Sequence, residues 1–115
     1  MKLNKYPEWL EVDEAYLSLI DREIYDLTPW EILLNDEYVA FFKSLKKNYP
    51  ERELVPFFRR QDNDDVACWE RGRGSGVVII HNFASPGWET EATYKSFWDW
   101  FRSSIEDMID WGRDN

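Results

Sequence analysis

Apolar positions along this chain follow two rhythms, helical in the outer parts and strand-like in the middle. Val12, Tyr16, Leu19 and Ile20 recur at helical spacing around Asp13, a residue suited to cap a helix, and the pattern runs out over residues 21–23. Over residues 36–48, Tyr38, Phe41, Phe42 and Leu45 form one stripe, with Lys43, Lys46 and Lys47 beside it and toward the C-terminal end, where cations suit the helix dipole. Pro50 stops that helix. The plainest amphipathic run comes last: Tyr94, Phe97, Trp98, Phe101, Ile105, Met108 and Ile109 keep the spacing, while Lys95, Asp99, Arg102, Glu106 and Asp110 lie off it. This predicts a long terminal helix whose stripe covers a sheet, with Trp100 and Trp111 at the stripe's edge or beyond it and more exposed than Trp98.

Between the helices the period shortens. Residues 54–58, 66–69 and 77–82 are β-branched or aromatic runs bounded by turn residues, and they read as consecutive strands of a meander. Asp62, Asn63, Asp64 and Asp65 supply turn chemistry between the first two, and Gly72, Gly74 and Gly76 a flexible loop between the second and third. Val77, Val78, Ile79 and Ile80 are apolar on both faces, which predicts a strand covered from each side. Thr28, Pro29 and Glu31 have the spacing of a capped helical turn, whereas Ile32, Leu33 and Leu34 suit a short strand equally well. The expectation is one α+β domain over residues 1–115, with an antiparallel-rich sheet of about four strands, N-terminal helices and a long C-terminal helix.

Composition narrows the function. Hydrophobic residues at 43% and aromatics at 17% suffice for a packed core, so the chain is not of the disordered class. The formal charge of −9 argues against the clustered basic surface that phosphate recognition needs, and nucleic acid is not an expected partner. The acidity either steers a basic partner or simply keeps the protein soluble. Seven Trp residues are many for this length, and rigid aromatics that reach a surface are typical anchors of protein contacts. A single cysteine, Cys68, forms no intramolecular disulfide, and no apolar stretch is long enough for a bilayer; cytoplasmic residence is the expectation.

Candidate chemistry is sparse. His81 is the only histidine and lacks neighbouring ligands or a nucleophile in sequence, so a hydrogen-bonded structural role is the first reading; Cys68 within a strand reads as core. Residues 61–65 start like a calcium loop but lack its glycine and terminal glutamate. Gly72, Gly74 and Gly76 precede a strand and not the helix a phosphate loop needs, and Ser85 has no nucleophile elbow. Pro86 and Gly87 mark a tight turn. No catalytic residue, cofactor or metal ligand is expected.

The order of helices, then Leu54-Val-Pro-Phe-Phe58, the acidic turn, and a strand with Ala67 and Trp69 resembles the SUKH superfamily, or Smi/Knr-like domain, with Phe58 where a small residue is more usual. RRQDNDDVACWE, VVIIHNFASPGWE and SFWDWF look like a bacterial branch of it. The resemblance implies a non-enzymatic domain, frequently an immunity protein that neutralises a toxin; other relatives are regulatory interaction modules. If the toxin is a nuclease, the net charge of −9 suits its basic cleft. Asp62, Asn63, Asp64, Asp65, Trp69, Trp88 and Glu89 are the expected partner contacts, because loops and strand ends carry recognition. A small enzyme or ligand-binding protein using His81 with nearby carboxylates is the alternative from another class.

Overall fold

Six strands hydrogen-bond in chain order, each antiparallel to the next, in a computed structural model that describes residues 4–114. The elements are α1 (Glu14–Asp21), β1 (Asp26–Leu27), β2 (Trp30–Ile32), α2 (Asn35–Asn48), β3 (Leu54–Arg60), β4 (Asp65–Glu70), β5 (Val77–His81), β6 (Thr90–Tyr94) and α3 (Phe97–Asp114). The α+β architecture, the meander and the long C-terminal helix agree with the sequence reading, as does Asp13, whose carboxylate accepts from the Ala15 amide at 2.9 Å.

Both sheet faces are covered. At β3 the register shifts, so that Pro56 pairs with Cys68 and Phe58 with Ala67, leaving Phe57 as an extra residue. The bulge turns two consecutive aromatics to the same side: Phe57 and Phe58 both contact the Trp100 ring, at 5.2 and 5.1 Å between centroids. Tyr16, Trp69 and Phe97 complete this cluster of edge-on and stacked rings, which joins α1 and α3 to the sheet. By strand alternation Val66, Cys68, Val78 and Ile80 face the other way, and all four are buried. There α2 crosses, with Phe41 beneath the Arg59 guanidinium and Ser44 and Asn48 bonded to Asn82.

Three local expectations change. Residues 26–32 form a hairpin in place of the helical turn, and of the strand alternative at Ile32, Leu33 and Leu34 only Ile32 belongs to it: Trp30 pairs with Arg60 and Ile32 with Phe58, and this non-local ladder outweighs the local capping pattern. Residues 90–94 form an edge strand, mostly exposed and so without an apolar alternation to announce it; Tyr94 belongs to it and not to α3. The third concerns α3. Trp100 is 1% exposed and Trp98 48%, the reverse of the expected order. The helix rotates to seat Trp100 on Phe57 and Phe58 and to set Ser104 in the contact, where its hydroxyl is satisfied by the Phe101 carbonyl at 2.7 Å. Among the described residues, no helix is long and apolar enough to cross a membrane.

This rotation has a direct measure. Trp100→Ala is expected to cost about 3–5 kcal/mol and Trp98→Ala less than about 1 kcal/mol in urea denaturation. The opposite ranking would show that the helix sits with Trp98 inward.

Candidate functional site

The loop between β5 and β6 carries two large aromatics in solvent, Phe83 at 70% and Trp88 at 80% exposure. Its backbone is nonetheless firmly held. The Asn82 side chain is buried, donating to Ser44 Oγ at 3.0 Å and accepting from Asn48 Nδ2 at 2.8 Å and from the Phe83 amide at 3.1 Å. The Tyr49 hydroxyl, just past α2, bridges the carbonyl oxygens of His81 and Ala84 at 3.1 and 3.0 Å. Phe83 has φ of 68°, the left-handed region that a bulky side chain rarely adopts. A large ring is thus turned outward on a strained backbone, with the strain over-determined by the C-terminal end of α2.

The far end of the loop is tied by Arg52. Its guanidinium makes a two-bond contact with Glu70, both bonds 2.8 Å, and reaches Glu89 at 2.8 Å and Thr90 Oγ1 at 2.9 Å. Glu89 also accepts from the Gly87 amide at 2.6 Å, and Gly87 has φ of 97°, which glycine tolerates and other residues resist. Hydrogen bonds from Arg52 hold the Glu70 carboxyl below its usual range against the opposing effect of burial, with Arg73 assisting. For Glu89 burial raises the pKa, and the Arg52 bond with the Glu89 and Gly87 amides outweighs it, leaving the net shift downward.

The acidic turn between β3 and β4 lies at the same end of the sheet, joined to the loop by the Asn82 amide donating to the Asp64 carbonyl at 2.9 Å. Asp62 is paired with Arg60, and Asn63 Oδ1 closes the turn on the Asp65 amide at 2.8 Å. Asp65 stands directly opposite His81, and the imidazole Nδ1 lies 2.8 Å from its carboxylate. That bond chiefly raises the His81 pKa, with burial opposing and Glu91 and Asp64 adding to the rise. Among the described residues no lysine or arginine lies within 4.0 Å of the Asp64, Asp65 or Glu91 carboxylates. Asp65, His81 and Glu91 are also the one group in the described residues whose donor atoms gather closely enough to hold a metal ion.

Of the residues expected from sequence to contact a partner, the structure brings Asp62, Asn63, Asp64, Asp65 and Trp88 together at this end. Trp69 is 2% exposed within the ring cluster and has no surface to offer, because its strand is central and its position faces α1. Glu89 is 7% exposed and ties the loop from inside. Phe83, Asn82, Tyr49 and Arg52 escaped the sequence reading. A phenylalanine between two turn-prone segments, with no apolar partner at helical or strand spacing, was the available signal for the first. Cys68 is buried, and burial pushes its thiol pKa up, in keeping with a core residue.

No protein-family model matches the chain, and comparison with curated proteins and with solved structures finds no significant match.

Two outcomes check the loop's construction. Phe83→Gly removes a left-handed strain of roughly 1–2 kcal/mol and adds roughly 0.5–1 kcal/mol of chain entropy cost, so its stability should equal or exceed the parent's by up to about 1.5 kcal/mol. A clear loss on calorimetry would mean that the exposed ring is a packing element. Arg52→Met should cost about 2 kcal/mol near neutral pH, between the values for exposed and fully buried pairs. Because both partner carboxyls have lowered pKa values in the folded state, their contribution is complete above the ordinary glutamate pKa of about 4.3 and is lost as pH falls below it. The gap between parent and variant should therefore narrow on acidification; a gap constant from neutral pH to about pH 3 would rule out the ion pairs as its source.

Proposed function

We propose that the protein acts by binding another protein through the β3–β4 turn and the β5–β6 loop, as an immunity protein that neutralises a cognate bacterial toxin in the cytoplasm. The observation that carries this reading is the exposure of Phe83 and Trp88 on a loop whose backbone is clamped from both ends. Large aromatics at the centre of a contact commonly contribute about 2 kcal/mol or more each, and a loop already ordered loses little entropy on binding. A strained outward phenylalanine has no use in an isolated domain, where a glycine would relieve the backbone.

The charge fits a basic target. Among the described residues Asp64, Asp65 and Glu91 border the loop with no lysine or arginine within 4.0 Å, on a chain of net charge −9, so long-range attraction brings in a cationic surface such as a nuclease cleft. Carboxylates there compete with phosphates for the same cations. The resemblance to the SUKH superfamily supports the same reading from the sequence side. Binding by this route needs no chemical step, and the mechanism is occlusion in a stoichiometric complex.

Co-expression with the product of the adjacent gene tests the proposal. Growth should be arrested by that product alone and restored by this protein, and restoration should be lost with Phe83→Ala/Trp88→Ala while the melting temperature stays within a few degrees. A product that is harmless alone, one that kills regardless, or full protection by the double variant would each refute the reading.

A further inference from the structure

We propose that Asp65, His81 and Glu91 form a binding site for a divalent transition-metal ion of the zinc class. One imidazole nitrogen and two carboxylate oxygens, from three adjacent strands, lie within 4.8 Å of one another. A tetrahedral ion with bonds of about 2.0–2.2 Å holds its ligand atoms roughly 3.4 Å apart, so rotation of side chains closes the set without moving the backbone.

The third ligand is there because of a second bulge. Ile79 pairs with Ala92 and Ile80 with Thr90, leaving Glu91 unpaired in the ladder. In regular register Glu91 would stand opposite Ile80 and share its face. The inserted position frees it to the face of Asp65 and His81, which are direct cross-strand partners. The backbone beneath them is fixed, with the His81 amide donating to the Glu89 carbonyl at 2.7 Å and the Asn82 amide to the Asp64 carbonyl at 2.9 Å. The donors thus project from paired strands and not from a free loop, the arrangement that holds a metal geometry best.

Electrostatics act in the same direction. Among the described residues no lysine or arginine lies within 4.0 Å of the Asp65 or Glu91 carboxylates, and Arg60 acts on Asp65 only from a greater distance. A bound divalent ion offsets the negative charge of these carboxylates directly. The imidazole with two carboxylates suits zinc and its neighbours, while calcium and magnesium prefer sites built of oxygen alone. His81 and Glu91 are open to solvent, so remaining coordination positions are free for water.

The site is set by strand geometry and does not depend on a protein partner. The test is titration of untagged, chelator-treated protein with zinc chloride by calorimetry, with imidazole proton resonances followed by NMR. His81 is the chain's only histidine, so those signals report on it alone. Saturable equimolar binding, a shift of the His81 resonances, and roughly tenfold or greater weakening in each of Asp65→Asn, His81→Gln and Glu91→Gln are expected. Glu91→Gln alters an exposed side chain, so a folding defect does not obscure that arm. Unmoved His81 resonances, no saturable heat, or equal affinity in Glu91→Gln would overturn the site. Phe83→Ala/Trp88→Ala should bind zinc as the parent does, which separates failure of this site from failure of the partner reading.

Discussion

Everything in this domain hangs on two consecutive aromatics meeting one indole. Phe57 and Phe58 can both touch Trp100 only because the extra residue in β3 breaks the alternation of the strand. That contact sets the rotation of α3 about its axis and decides which of its tryptophans is buried. Trp100 also packs edge-on against Trp30, whose indole N–H donates to Asp107 Oδ2 at 2.9 Å, so the short β1–β2 hairpin is secured to the same helix. Remove the bulge and Phe58 would point toward α2, and the helix would have no pocket for its large ring.

The opposite face converts that stability into a surface. With α1 and α3 holding one side, α2 is free to lie with its C-terminal end under the β5–β6 loop, where Ser44, Asn48 and Tyr49 satisfy its polar groups. The buried bonds through Asn82 are costly to leave half-made and worth most when complete, so they select one loop conformation. Phe83 is strained within that conformation and Trp88 is left in solvent. Exposure and rigidity are therefore divided along the chain: aromatics inside the bulged sheet make the scaffold, and aromatics in the loop are spared from it.

Both bulges do similar work at different places. One gathers rings on the covered face, and the other turns Glu91 toward Asp65 and His81 at an open edge. In each, a one-residue insertion changes which side chains share a face, something a regular ladder forbids. The sheet's edge thereby gains a compact set of donors without any departure from hydrogen-bonded strands.

From the amino-acid sequence alone, α1, α2 and α3, the strands β3 to β5, the acidic turn at Asp62–Asp65 and the place of Trp88 in a loop are legible. These depend on the spacing of near neighbours, which any stretch of chain carries within itself. Tertiary structure alone decided the hairpin at residues 26–32, the edge strand at 90–94, the inward position of Trp69 and Trp100, and the company of His81. Each of those follows from pairing across the sheet, where a shift of one residue reassigns every side chain to the other face, and no local rhythm records where such a shift occurs.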